Sequence, residues 1–556
     1  MCELVFGVCG WSEFTWHTDI SEVRKSRKIS LSKSCFYWFM LFALGGMLNF
    51  ECRAETPKNI IVMAKALDDL ITLDPAEAFE FSGTEILANV YDRLFIANPE
   101  NPSEPKLGLV EQWLRSSDGL EYRFLVRDDA TFENGDLLTS EDVVFSIRRA
   151  VLLNKSPAFI LNQLGLRRSN VEHKVKTLDD EWFTLEVDRP YSASFVLNVL
   201  SSVVASVVDK STLLQHFNNG DWGGGWLRSN TAGSGSFRVS KWNVGEYVLL
   251  DRTDSGSSPI KRIVIRDVRE PATQRLMLTR GDIDIARDLT PDHIASLSQK
   301  TDIITWSENQ ARIFYIALNQ ENSALANPLV RKAMRLAVDY RGIAAHLLPG
   351  RAVVHQAFLP VGFMGALRET PFALDLAGAR RLIDEFGESE KLKFEVNVRS
   401  DPIALQIAQA VQRTLGQVGI ELDIHPSDGK QVLTKYRARR HDIYMGYWGP
   451  DYLDPHSNAA AFASNPNNME DAEQMTLAWR NNWIMPQLTM ATDRAVLIHD
   501  PLDRQEAYQR LQRKVQSDSP FIILFQEKAL IATTGSVQGF VVGLTADQTM
   551  YANIIK

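Results

Sequence analysis

Leu392-Lys393-Phe394-Glu395-Val396-Asn397-Val398-Arg399, followed by Ile403 to Gly416 and then Ile420-Glu421-Leu422-Asp423-Ile424, decides the fold. The first and last runs have the length and apolar content of buried strands. The middle run places Ile407, Ala410, Val411 and Leu415 on one face at helical spacing. A strand, a helix and a strand in this order form a βαβ unit, which requires a parallel sheet. Ligand-facing loops are then expected at the carboxyl ends of the strands, and Arg399 stands at one of them.

Similar units lie on either side. Upstream, Asn59 to Ala64 reads as a buried strand, and Thr72-Leu73-Asp74-Pro75 as the loop that ends it. Gly83 to Leu94 carries Ile86, Leu87, Val90, Tyr91 and Leu94 on one helix face. Tyr122 to Val126 reads as a strand leading through Asn134-Gly135-Asp136 to a helix capped by Thr139. Short strands at 237–239, 247–250 and 263–265 precede helical spacing from Pro271 to Arg280 and a short strand in Gly281 to Ala286. The glycine-rich run Asn218 to Trp226 lacks the Lys-Ser/Thr of a phosphate-binding loop and reads as a surface loop. Phe314 to Asn319 is a strand, and Asn327-Pro328 starts a helix. Two α/β units separated by Ala311 to Ala317 account for this order, with the strand-rich stretch from Phe521 free to return to the first unit and so form a hinge.

The N-terminus reads as an export leader over residues 1–54. A basic run, Arg24-Lys25-Ser26-Arg27-Lys28, leads into an apolar block from Cys35 to Leu44, too short to span a membrane comfortably. Cleavage is expected after Ala54, with Cys52 and Ala54 as the small pocket residues, whereas Glu51 argues against a lipid-modified cysteine. Residues Met1 to Val23 imply either an extended leader or a misplaced start codon. All 4 cysteines (Cys2, Cys9, Cys35 and Cys52) lie within it. A chain cleaved there has no thiolate nucleophile, thiolate zinc site or disulfide. The net charge of −9 disfavours a nucleic-acid surface. Roughly 500 residues exceed one core, so at least two lobes are expected.

Chemistry concentrates in Asp442 to His456, which reads Asp-Ile-Tyr-Met-Gly-Tyr-Trp-Gly-Pro-Asp-Tyr-Leu-Asp-Pro-His. Aromatic rings beside acids suit a ligand carrying a cation on an organic body. The same residues also serve as turn formers and core, and spacing alone leaves both readings open. Tyr447, Trp448 and Tyr452 are candidate pocket rings, though period-two alternation lets only some of them face a ligand. Glu80 and Ser82, with Phe79, are candidates for the opposite wall. His456 has no metal-ligand spacing with His441 or His425, so no metal site and no cofactor are expected.

The chain resembles the large solute-binding proteins of ATP-driven importers, the oligopeptide, dipeptide and nickel class, known as bacterial extracellular solute-binding protein family 5. The resemblance rests on Leu73-Asp74-Pro75 with Tyr91, on Asp118-Gly119 through Tyr122, Phe124, Arg127, Phe132, Gly135 and Thr139 to Asp142-Val143-Val144-Phe145-Ser146, on Gly233-Ser234-Gly235, on Gly281-Asp282-Ile283-Asp284, and on Val330-Arg331-Lys332-Ala333 leading to Ala337-Val338-Asp339. It implies an α/β, two-lobed periplasmic-binding-protein fold of type II, of the large class with an extra subdomain in lobe I and a hinge between lobes. Lobe I would span 55–312, lobe II 313–520, and 521–556 would return to lobe I. In peptide-binding members the acid three residues after tryptophan in Trp-x-x-Asp pairs with the peptide's α-amino group, a position held here by Asp451. An arginine after a lobe-two strand meets the α-carboxylate in dipeptide binders, and Arg399 is the nearest match.

The resemblance implies a periplasmic protein that binds short peptides and delivers them to an inner-membrane permease with its ATPase subunits. It is expected to be a monomer that does not bind nucleic acid. The same fold carrying a nickel chelate, haem, an opine or an oligosaccharide is the alternative, and an exported hydrolase the remote one. No Gly-x-Ser-x-Gly elbow or His-Glu-x-x-His motif supports a catalytic site.

Overall fold

The computed structural model describes residues 55–556 except 103, 255, 257, 388–391 and 473. The expected leader and its cysteines lie outside the described residues. The architecture is mixed α/β. Its main sheet runs, in spatial order, through strands Glu421–Ser427, Lys393–Arg399, Ile443–Trp448, Ile303–Leu318, Phe521–Thr534, Ile285–Ala286, Ile60–Lys65, Arg262–Asp267, Tyr247–Arg252 and Phe237–Asn243, with Ala352–Val354 added beside Phe521–Thr534.

The βαβ unit forms as its periodicity requires. Strand Lys393–Arg399 pairs in parallel with Glu421–Ser427 and with Ile443–Trp448. Helix Pro402–Gly416 makes the crossover, its first turn capped by the Asp401 carboxylate, which accepts from Ala404 N–H at 2.9 Å. Ile407, Ala410, Val411 and Leu415 are all buried. On the other side of the sheet, Ile60–Lys65 is parallel to Arg262–Asp267 and Ile285–Ala286.

Two antiparallel strands, of 16 and 14 residues, join these halves. Strand Ile443–Trp448 pairs only with the Ile313–Leu318 end of the first, whereas Ile285–Ala286 pairs with Ala532 and Thr533 near the far end of the second. Between those ends the register slips, at Asn309/Ile313 and again at Phe314/Tyr315. The fully buried Gln526 takes over where the ladder fails: its side-chain amide donates to Gln310 and Val361 carbonyls at 3.0 and 3.1 Å and accepts from Val361 N–H at 2.8 Å. The sequence places a strand at Phe314 to Asn319; the observed strand begins 11 residues earlier because each of its ends has a different partner.

A separate four-stranded antiparallel sheet, ordered Val110–Arg115, Glu121–Val126, Trp182–Glu186 and Val175–Thr177, has its own core with Val143, Val144, Ile147 and Ala150 of helix Ser140–Leu153. That helix starts with a reciprocal capping box between Thr139 and Asp142. Its Arg149 guanidinium donates to both oxygens of Asp74, at 2.8 and 2.6 Å, in full burial.

The helix expected over Gly83 to Leu94 runs instead from Phe81 to Val90. Tyr91 and Leu94 are buried, but beyond the end of the helix, where Tyr91 is already extended. The segment Gly233-Ser234-Gly235 ends the helix: Gly235 N–H donates to Val90 O at 2.9 Å, and a Cβ on Gly233 would stand 2.2 Å from that oxygen. Only glycine allows this approach. No helix among the described residues is long and apolar enough to cross a membrane.

Candidate functional site

Strand Ile443–Trp448 carries the aromatic run, and its alternation sorts the rings. Ile443 and Met445 enter one apolar layer with Tyr447 packed at its margin, and Tyr444 enters the opposite layer with Trp448 at its margin. Tyr444 stacks on Tyr436 with centroids 4.0 Å apart and planes 5° from parallel. It reaches that position by lying over Gly446, where any Cβ would fall 2.1 Å from its hydroxyl. Trp448 meets Phe462 edge-on, and its indole N–H donates to Asn458 Oδ1 at 2.9 Å.

Gly449-Pro450 stops the strand, and Asp454-Pro455 starts helix Pro455–Ala463. The turn between them separates two carboxylates completely. Asp454 caps the helix, accepting from His456 N–H at 2.8 Å, and receives both Arg504 Nη atoms at 2.8 and 2.9 Å; Arg504 also donates to Ser194 Oγ at 3.0 Å. Asp451 differs. Its backbone N–H donates to Ser457 Oγ at 2.9 Å, yet no described side chain hydrogen-bonds its carboxylate. Burial pushes that carboxyl up to about 7, against the single opposing charge of Arg480. Asp451 as a whole is half-buried, so its carboxyl is only partly withdrawn from solvent.

Tyr452, one residue on, turns the other way. It is 3% exposed, donates its hydroxyl to Gln163 Oε1 at 2.8 Å and sets its ring edge-on to Phe195 in the core of the four-stranded sheet. His456 also sits in that wall, its ring edge-on to Phe195 and its Nδ1 3.3 Å from the Tyr508 hydroxyl. Burial depresses the imidazole to about 4.

The wall opposite the aromatic strand begins with helix Phe81–Val90. Phe81 lies against Gly449, where an added Cβ would meet its ring at 3.2 Å. The Arg312 guanidinium stands 5.5 Å from the Phe81 ring and 4.3 Å from the Tyr447 ring, anchored by Glu527 at 2.6 Å. Glu80 occupies the position before that helix, where it accepts from Phe79 N–H at 3.2 Å, and its charge acts on Arg437. Ser82 is spent locally: its N–H donates to Asp69 Oδ2 at 3.1 Å and its hydroxyl to Ala66 O at 3.3 Å.

Of the residues singled out in the sequence, Tyr447, Trp448 and Asp451 thus share one end of one strand, with Glu80 on the facing wall, while Ser82 and Tyr452 turn to bonds of their own. Arg399 is exposed at the end of its strand, next to Gly429, where a Cβ would stand 3.0 Å from its Nε. Phe81, Arg312, Tyr436 and Arg480 were not singled out. No local pattern marks Arg312 or Arg480. Phe81 lies inside the named segment Phe79 to Ser82 and escaped because a lone phenylalanine reads as core.

Residues 104–470 match the family model described as bacterial extracellular solute-binding proteins, family 5, middle. The chain is similar to the probable D,D-dipeptide-binding periplasmic protein of Escherichia coli K12, 27% identical over 532 residues that cover 93% of this chain and 98% of the relative. It is 22% identical to the glutathione-binding protein of Escherichia coli strain 536, over 88% of this chain and 92% of that one. The fold matches the periplasmic binding protein DppA of Helicobacter pylori in complex with the peptide STSA (TM-score 0.76, 20% identity, 89% and 98% of the two chains). It also matches a dipeptide-binding protein of Pseudoalteromonas sp. SM9913 in complex with Met-Leu (TM-score 0.75, 20% identity, 89% and 100%).

Proposed function

The chain belongs to family 5 of the bacterial extracellular solute-binding proteins, and on that footing we propose that it is a periplasmic receptor for short peptides, feeding an inner-membrane ABC permease and its ATPase subunits. The observation that carries the peptide reading is the Asp451 carboxylate, half-buried just beyond the Trp448 strand end and without a hydrogen-bond partner among the described residues. A peptide's α-ammonium group supplies the missing charge, and the pair forms where water is excluded. The relative named for D,D-dipeptides and the neighbours holding STSA and Met-Leu support the same ligand class.

In this reading lobe I comprises 55–312 with the four-stranded sheet as its extra subdomain, lobe II comprises 313–520, and 521–556 returns to lobe I. Peptide between the lobes stabilises the closed form through contacts that only that form completes. The protein acts as a monomer after export and removal of residues 1–54. Extended backbone supplies affinity, and hydrated space around the side chains tolerates variety.

The test is a thermal-shift screen of the purified protein against L- and D-configured peptides of two to five residues, amino sugars and nickel chelates, followed by calorimetry on the hits. A free-amine peptide should bind, and N-acetylation should abolish the gain. Stabilisation by a sugar or a nickel chelate alone would replace this reading with another cargo.

A further inference from the structure

Helix Pro328–Leu336 buries its apolar face through Val330, Ala333 and Met334, and it takes two arginines in with them. Arg331 and Arg335 stand one turn apart on the same side and are only 9% and 2% exposed. Both reach the end of helix Pro501–Asp518. Arg331 donates through Nη2 to Asp518 O at 3.2 Å and through Nη1 to Gln320 Oε1 at 2.9 Å. Arg335 Nη2 donates to the Ser519 carbonyl and, at 3.4 Å, to that of Phe521. Arg335 Nε is buried without a hydrogen-bond partner, and neither arginine forms an ion pair among the described residues.

The carbonyls leave most of this charge unanswered. A helix C-terminus presents about half a negative charge, against two whole positive ones. The acid that acts on both arginines is Asp518, and its carboxylate is already held by Lys514. Burial lowers Arg335 only to about 10, so at neutral pH it stays cationic. A buried cation is stable when an anion is paired with it.

Arg335 also lines a cavity of about 10 Å³, room for one particle the size of a water molecule. Gln356, Tyr340, Phe372, Val515 and Phe521 are around it, and no acid lines it among the described residues. Tyr340 spends its hydroxyl hydrogen on Arg335 O at 3.1 Å. Gln356 spends one amide hydrogen on Phe372 O at 2.8 Å and keeps a second for a ligand. A guanidinium and an amide donor in an apolar wall suit a small, weakly hydrated anion, and the volume is too small for a carboxylate or a phosphate. A halide is slightly wider than water, and the half-buried Phe372 side chain can give way to it.

We propose that this cavity is a chloride site, in which Arg335 binds one buried halide where helix Pro501–Asp518 passes into strand Phe521–Thr534. The ion belongs to the folded protein whatever ligand the protein carries, and it steadies the root of the long ribbon that joins the two halves of the sheet.

The experiment compares melting of the purified protein in sodium chloride and in sodium gluconate at one ionic strength, so that screening is equal and the anion alone differs. The melting temperature should climb with the logarithm of chloride concentration, by about 2 °C once chloride exceeds its dissociation constant a hundredfold. Crystals grown in sodium bromide should show an anomalous peak within hydrogen-bond reach of Arg335. Arg335→Met should lose both the peak and the chloride dependence; should that variant not fold, the bromide crystal and the melts of the unmodified protein decide. No bromide peak in the cavity would overturn the inference. A peak with melting indifferent to chloride would mean an adventitious ion only and overturn it equally, and so would a chloride dependence that Arg335→Met retains.

Discussion

Asp451 and Asp454 stand three residues apart beside prolines, and their environments are opposite. Asp454 shares its burial with Arg504, a helix N-terminus and, through Arg504, Ser194, so its charge is fully answered. Asp74, next to Pro75, is answered in the same way by Arg149 and by Ala76 N–H at 2.9 Å. Asp451 is half-buried, and no described side chain hydrogen-bonds its carboxylate. The two satisfied acids hold the scaffold, whereas in the proposed function the third is kept for an incoming cation.

The strongest way to break this contrast is to orphan the structural acid. Arg504→Ala leaves Asp454 buried and unpaired, and should lower unfolding free energy by about 3–5 kcal/mol in urea titrations. A loss below about 1 kcal/mol would mean that Asp454 is no more structural than Asp451.

Asp451→Asn should do the reverse. Peptide binding should weaken by about 2–5 kcal/mol by calorimetry, while the ligand-free protein melts at the same temperature or higher, because a desolvated charge has been removed. Unchanged affinity would take Asp451 out of the site.

The contrast should also appear as a pH dependence. The Asp451 carboxyl titrates at about 7 in the folded chain, against 3.8 for an ordinary aspartate. Between these values the folded state binds the extra proton, so this group's contribution makes ligand-free stability fall as pH rises through that window. The stability gap between Asp451→Asn and the unmodified protein should therefore widen from pH 4 to 7 and level off above it. A cationic ligand pulls the proton off, so peptide binding at pH 6 should release a proton, measured by calorimetry in buffers of different ionisation enthalpy. A gap independent of pH would remove the titration from Asp451.

The smallest effect sharpens the comparison at its boundary. Tyr452→Phe removes one hydroxyl bond to Gln163 and should cost about 0.5–1.5 kcal/mol of stability, with peptide affinity unchanged. A drop in affinity would place Tyr452 with the site instead of the core.

Regular elements were legible wherever local periodicity decides them. Ile407, Ala410, Val411 and Leu415 point inward because a helix must bury that face, and Asp401 and Thr139 cap where their chemistry dictates. The end of helix Phe81–Val90 was not legible, since Gly235, 145 positions beyond Val90, supplies the terminating bond. In the site, the Trp448 and Asp451 motif stood out because rings and acids are dense there. Which acid is free was hidden, because Arg504 lies 50 residues from Asp454 and carries no signature.

The paired strands Ile303–Leu318 and Phe521–Thr534 impose a mechanical rule. A hydrogen-bonded ribbon resists stretching and in-plane sliding but flexes readily across its flat face, and here the weak point is a register slip secured by a single glutamine amide. In the proposed function, a swing of one half against the other would follow a single axis, like a door and unlike a ball joint. Each shutting would then return the rims to the same alignment, so that a permease of the proposed kind would meet one loaded outline whatever side chains the passenger carried.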